Sequence, residues 1–276
     1  MNLLTLNTHS WLEKEAEQKL QQLVEKIIEA DYEVIALQEV NQLVDSVIVS
    51  QSELIGFCPV SGQKSIHEDN FAYCLVKKLA MKGRTYYWSW DMSHIGYDIY
   101  EEGNALLSKN PLTSEAIVVS ETSNYQDYRT RKLLIGNTLF QGKEICVVST
   151  HFSWWQDENS GFAFEWHQLE KRLLTETNPL FLLGDFNNPA QEAGYSLVEK
   201  SPLALRDSYS IAKVKSGEAT VEQAIDGWKE NTRKLRIDYI FVPANSIVDA
   251  HQVVFDGKNT PVVSDHFGVE IEITKF

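Results

Sequence analysis

Five apolar runs, residues 3–6, 34–37, 145–149, 180–183 and 237–242, are rich in strand-forming side chains and bounded by turn residues, the pattern of buried strands. Each run ends near, or encloses, a polar group: Asn7, Glu39, His151, Gly184-Asp185-Phe186-Asn187 and Asp238, with Ser264-Asp265-His266 as a sixth island further on. Strand ends are where one fold can draw distant carboxylates, amides and histidines together. The pattern therefore predicts an α/β fold with one converged acidic, histidine-containing site.

No Pro/Gly/Ser-rich linker or shift in composition divides the 276 residues, so the expectation is one domain spanning 1–276. An apolar fraction of 43% supplies a substantial core. The net charge of -14 argues against a protein that gains affinity by neutralising a nucleic-acid backbone, although a local basic pocket can override the global sign. Cys58, Cys74 and Cys146 are odd in number, widely spaced and form no CxxC pair, and no secretory n-region precedes Leu3-Leu4, which points to a reducing cytoplasm. No apolar stretch approaches the roughly 20 residues that cross a bilayer. Nothing in the chain implies an obligate protein partner.

The first unit reads strand, helix, strand. Ser10-Trp11-Leu12-Glu13 has capping-box spacing, and Ala16, Leu20, Leu23, Ile27 and Ala30 recur on one helical face before the run at 34–37. A right-handed crossover would place Asn7 and Glu39 at one sheet edge. From 71 to 148 the pattern reads as short strand-like runs with turn signals, including a hairpin turn within 139–144. Helical periodicity returns at 161–175, and the polar stretch 213–232 reads as an exposed excursion. Two aromatic segments stand apart: Tyr86-Tyr87-Trp88-Ser89-Trp90 running on to His94, Tyr97 and Tyr100, and Phe152-Ser153-Trp154-Trp155 running on to Phe162, Phe164 and Trp166. These rings either fill core or stack on a sugar or another planar or apolar substrate face.

The islands carry recognisable chemistry. Glu39 suits a hard divalent cation, since Mg²⁺ takes one or two protein carboxylates and keeps waters. In Gly184-Asp185-Phe186-Asn187, a carboxylate able to orient water stands two residues before an amide able to hold an oxygen of the electrophile. Ser264-Asp265-His266 pairs a carboxylate with an imidazole, but strand neighbours point oppositely, so the two need not share a partner. Asp238, inside an apolar strand, needs a partner of its own and could orient His266. Of the seven histidines, His151 and His266 join the strand-end pattern.

Leu6-Asn7, Leu37-Gln38-Glu39, Ser149-Thr150-His151, Gly184-Asp185-Phe186-Asn187, Ile237-Asp238-Tyr239 and Ser264-Asp265-His266 resemble, in order, the signatures of the endonuclease/exonuclease/phosphatase superfamily. The resemblance implies a DNase I-like four-layer α/β/β/α sandwich of two packed, mostly antiparallel sheets with the site at one rim. It further implies Mg²⁺, with Mn²⁺ as a substitute, held by Glu39, with Asn7 close to the metal or the phosphate and Asp265 supporting metal binding or the site geometry; Asp185 positioning water; Asn187, His151 and His266 stabilising phosphoryl oxygens; and Asp238 orienting His266. Glu102 would orient His151, and Arg131 would face the phosphate. Acidic charge and the aromatic segments, Trp154 and Trp155 above all, favour a sugar phosphate over nucleic acid. Within the superfamily, the opening residues 3–11 and the compact length are similar to maltose 6'-phosphate phosphatases. The alternative is a Mg²⁺-dependent phosphodiesterase or nuclease, which strong salt dependence would mark.

Overall fold

A computed structural model describes residues 1–157, 160–225 and 227–276. Its strands are β1 (Asn2–Asn7), β2 (Val34–Leu43), β3 (Tyr87–Gly96), β4 (Tyr100–Ser108), β5 (Thr113–Val118), β6 (Lys132–Phe140), β7 (Lys143–His151), β8 (Leu180–Asp185), β9 (Leu205–Asp207), β10 (Val214–Ser216), β11 (Asp238–Pro243), β12 (Ile247–Val254) and β13 (Gly268–Lys275). One sheet runs β10-β12-β13-β1-β2-β4-β3 and the other β5-β6-β7-β8-β11-β9. Most pairs are antiparallel; β1 with β2, β7 with β8 and β10 with β12 are parallel.

Alternation along the strands explains why the runs look continuously apolar. Leu3, Val34 and Ala36 share a core with Val147, Phe181, Leu183, Ile240 and Val242 between the sheets. Their neighbours Leu4, Leu6, Ile35 and Leu37 pack outward against Leu20, Leu23, Val24 and Ile27 of α1 (Ala16–Ala30) and Leu75 and Leu79 of α2 (Phe71–Met81). On the far side, Cys146, Val148, Leu182 and Phe241 meet Phe162, Trp166 and Leu169 of α3 (Phe162–Leu173) and Tyr195 and Val198 of α4 (Ala193–Glu199). Both faces of each central strand are buried, so period-two alternation carries no polar partner. The result is the α/β/β/α sandwich.

Three local expectations change. Residues 71–81 are helical, because the Asn70 side chain accepts from Tyr73 N at 3.1 Å and Phe71, Leu75 and Leu79 fall on one face. Ser10 does not cap α1, which begins beyond Glu15 with no side-chain cap. The excursion at 213–232 is only partly exposed: α5 (Ser208–Ile211) leads into edge strand β10, and Val221 and Ile225 form a small cluster with Leu235 and Ile237. Residue 226 lies outside the described residues. The hairpin turn falls at Gln141-Gly142, between β6 and β7 as the sequence indicates.

Candidate active site

Strand register assembles the centre. Parallel pairing sets His151 opposite Asp185, and antiparallel pairing sets Asp238 opposite the same Asp185, so three chain-distant residues form one transverse row. Gly184 (φ 154°) permits this approach, since a Cβ there would stand 2.0 Å from the Thr150 carbonyl oxygen. In the other sheet, β1 pairs Asn7 with Gln38, and β2 slips register between Leu37 and Val40. Glu39 occupies that bulge at φ 51°, a left-handed conformation costing about 1–3 kcal/mol. Ser10 Oγ donates to the Glu39 carbonyl, and Thr8 Oγ1 lies within bonding distance of the Gln38 and Glu39 carbonyls. Ser10 thus pins the bulge rather than capping a helix. Beneath the rim, Gln38 Nε2 donates to Ser149 Oγ at 3.0 Å and Ser149 Oγ to the Leu37 carbonyl at 3.1 Å, tying the two sheets together.

The carboxylates and imidazoles converge tightly. Asn7 Nδ2 donates to Glu39 Oε1 at 2.8 Å and to Asp185 Oδ2 at 3.2 Å, bridging the sheets. His266 Nδ1 lies 3.0 Å from Asp238 Oδ2, and its Nε2 lies 3.7 Å from Asp185 Oδ2. His151 Nε2 approaches Glu39 Oε1 at 3.9 Å and Asp185 Oδ2 at 3.8 Å. Ser264 Oγ donates to the Asn7 carbonyl at 2.7 Å, docking the loop ahead of β13 onto β1. In this loop the two following residues diverge: His266 turns to the row, whereas Asp265 turns to His9, at 3.8 Å.

Two amides act differently from the sequence expectation. Asn187, at φ 49°, donates its backbone N–H to Asp185 Oδ1 at 2.8 Å, and its Nδ2 to Asp185 Oδ2 at 3.3 Å and the Phe152 carbonyl at 3.0 Å. It therefore orients Asp185, and its N–H groups are engaged before any phosphoryl oxygen arrives. Asn7 Oδ1 accepts from His9 N at 3.2 Å. As placed, Asn7 turns its Nδ2 to the two carboxylates and braces them.

Burial and neighbouring charge separate the two histidines. Burial opposes protonation of His266, but the Asp238 and Asp185 carboxylates outweigh it and hold its pKa well above the usual value. Burial, and then Arg131, hold His151 well below it. His266 is thus an imidazolium donor and His151 a neutral imidazole. Burial first and Asp238 second raise the pKa of Asp185 above the usual carboxylate range.

Arg131 is buried, with Nε donating to Ser153 Oγ at 3.3 Å and its guanidinium carbon 5.7 and 5.6 Å from the Trp154 and Trp155 ring centroids. Glu165 of α3 accepts from Ser153 N at 2.9 Å and also bonds Ser153 Oγ. Glu102, expected to orient His151, sets Oε1 3.4 Å from His94 Nε2. Together Glu39, His94, Glu102, Arg131, His151, Asp185, Asn187 and His266 border a cavity of about 180 Å³. Tyr128 and Trp154 border it too, and also line a groove of about 870 Å³ walled by Trp228 and residues 229–233. Trp155 packs edge-on against Trp154, 5.0 Å between centroids, and braces Arg131.

His9, His94, Glu165 and Trp228 stand at the site yet belong to none of the six polar islands. Glu165 carried a signal, a charge on the apolar face of a predicted helix beside Phe162 and Leu169. Trp228 was a lone aromatic in a polar stretch.

The donor set fits a divalent cation. Burial first and the Asp265 charge second raise the pKa of Glu39, so these two carboxylates repel each other at the rim, a repulsion that a cation would relieve. Carboxylates and imidazoles gathered at the rim of this sandwich fit the family to which the chain proves to belong, whose members are phosphoric ester hydrolases. The chain belongs to the Endonuclease/Exonuclease/phosphatase family, whose model matches residues 5–266 and whose members generally use a divalent metal. No functionally curated protein matches. An endonuclease/exonuclease/phosphatase family protein from Leptotrichia buccalis is 31% identical, with 99% of both chains covered and a TM-score of 0.85. A mannosyl-6-phosphatase from Bacteroides thetaiotaomicron shares the fold at 15% identity, 99% of both chains and a TM-score of 0.66. D. rerio TDP2, complexed with single strand DNA product, shares it at 13% identity, with 98% of this chain and 97% of that one covered and a TM-score of 0.64.

Proposed function

We infer that the chain is a Mg²⁺-dependent phosphomonoesterase acting in the cytoplasm on a sugar phosphate, with a disaccharide such as maltose 6'-phosphate as substrate. The observation that carries this reading is the junction of two cavities. A small polar one of about 180 Å³ suits a terminal phosphoryl group, and the aromatic groove of about 870 Å³ that shares Tyr128 and Trp154 with it suits the leaving sugar. A net charge of -14 opposes a polyanionic strand. Three free thiols suit a reducing compartment.

In this reading Asp185, oriented by Asn187 and Asn7, takes the proton of the water that attacks phosphorus in line with the leaving oxygen; the bond from phosphorus to the sugar oxygen breaks, and that oxygen takes a proton from solvent as the sugar departs. His266, kept protonated by Asp238, donates to a phosphoryl oxygen, and neutral His151 and Arg131 stabilise the remaining charge. A cation held by Glu39 and Asp265 would supply Lewis-acid polarisation of the phosphoryl group.

The test is phosphate release from maltose 6'-phosphate and glucose 6-phosphate in Mg²⁺, with and without chelator, beside nicking of a short DNA duplex. Chelator-sensitive release favouring the disaccharide is the expected result. Nicking without sugar turnover would overturn the substrate and leave the family assignment intact.

A further inference from the structure

Trp228 joins the groove to the reacting centre. Its Nε1–H donates to Asn187 Oδ1 at 3.0 Å, while its ring lines the groove. Asn187 in turn holds both oxygens of Asp185, Oδ1 through its backbone N–H and Oδ2 through Nδ2. Because Oδ1 of the amide is fixed by the indole, the two Nδ2 hydrogens are directed to Asp185 and Phe152. The chain of contacts from groove wall to water-activating carboxylate is therefore three residues long. The same segment also clamps Trp154: at Gly227 (φ 82°) a Cβ would stand 2.8 Å from Trp154 Cδ2, so only glycine lets the backbone lie against that ring.

We propose that Trp228 is a positioning and specificity-determining residue: its ring binds the glycosyl part of the leaving group in the groove, and its indole N–H sets the base Asp185 through Asn187. The groove lies at the upper end of the roughly 300–1,000 Å³ range of ligand sites, room for more than one pyranose ring. Trp154 and Trp228 contribute apolar lining to it, with Asn231 and Arg233 as polar neighbours for hydroxyls. The choice of a glycan rests on the phosphomonoesterase reading; the coupling to Asp185 does not.

Two substitutions separate the roles. Trp228→Phe keeps a ring and removes the N–H, so kcat should fall about tenfold on every ester that the enzyme hydrolyses, with KM for maltose 6'-phosphate little changed. Trp228→Ala should lower kcat equally and raise KM for maltose 6'-phosphate about fivefold or more, while KM for glycerol 1-phosphate, which leaves the groove empty, stays put. In an Asn187→Ala background, Trp228→Phe should cost no further kcat, a non-additivity that a general loss of structure would not produce. Calorimetric titration of unphosphorylated maltose should show binding to the wild type that Trp228→Ala loses. Unchanged kcat in Trp228→Phe, or full additivity with Asn187→Ala, overturns the positioning role; absent maltose binding together with equal KM shifts on both phosphates overturns the subsite. Turnover confined to DNA would refute the sugar reading, and the coupling would then be read on that strand through the same Trp228→Phe kcat.

Discussion

Replacing Asp238 with asparagine keeps the shape of the side chain and removes one charge. In the native site that charge lies 3.0 and 3.2 Å from His266 Nδ1, and both residues are almost fully buried. Unit charges about 4 Å apart at an effective dielectric near 20 interact by about 4 kcal/mol. Asp185, 3.7 Å from His266 Nε2, supplies part of the same field and survives the substitution. A loss of about 3–4 kcal/mol of imidazolium stabilisation converts to roughly 10²–10³ in kcat. The sign of the pH effect follows. Asp238 raises the His266 pKa, so its removal lowers that pKa and moves the alkaline limb of the rate profile toward acid. The assay is steady-state phosphate release across pH, with kcat and KM separated and circular dichroism to check folding. A folded Asp238→Asn enzyme with kcat within threefold of wild type, or with its whole defect in KM, would refute the proton-donor role of His266.

Other consequences can be measured independently. His251 is buried with Nδ1 3.0 Å from Ser208 Oγ, and burial lowers its pKa to about 4. The unfolded chain therefore binds this proton first, and stability present above pH 6.5 is lost as pH falls toward 4, by up to about 3 kcal/mol. Urea unfolding at pH 7 and pH 4.5 should show a smaller acid penalty in His251→Gln than in wild type; equal penalties would exclude His251 as the source. Glu165→Ala leaves Ser153 N without its acceptor in a buried site and should cost about 1–3 kcal/mol in thermal or urea unfolding, with a rise in KM as Arg131 loses its brace. Undiminished stability would show that water replaces the carboxylate. Glu39→Gln should raise the Mg²⁺ concentration for half-maximal activity at least about tenfold, and an unchanged Mg²⁺ titration would remove Glu39 from the cation's ligands.

What could be read from the sequence, and what could not, divides along a physical line. The buried strands were legible because continuous apolar runs imply strands covered on both faces, and the β1-α1-β2 unit brings Asn7 and Glu39 to one edge, whereas the sandwich was implied by the resemblance of the six motifs to the family. The row of His151, Asp185 and Asp238 then follows from register alone, since each side chain stands at a strand end whose partner is fixed by its neighbours. Short-range signals fared worse wherever tertiary contacts competed. Ser10 has the spacing of a helix cap, yet its hydroxyl meets a better use on the Glu39 carbonyl, where a left-handed residue needs support. Residues 71–81 look strand-like in their aromatic and aliphatic content, but one amide, Asn70, tips them into a helix. The amides were the least legible of all. Whether Asn7 and Asn187 offer oxygen or N–H toward the centre depends on His9 N and Trp228 Nε1, contacts made across 2 and 41 residues. Motifs identify which groups a phosphoryl centre contains; hydrogen bonds from residues outside those motifs decide which atom each group turns inward. Specificity for the leaving group would therefore lie in residues such as Trp228 that belong to no motif.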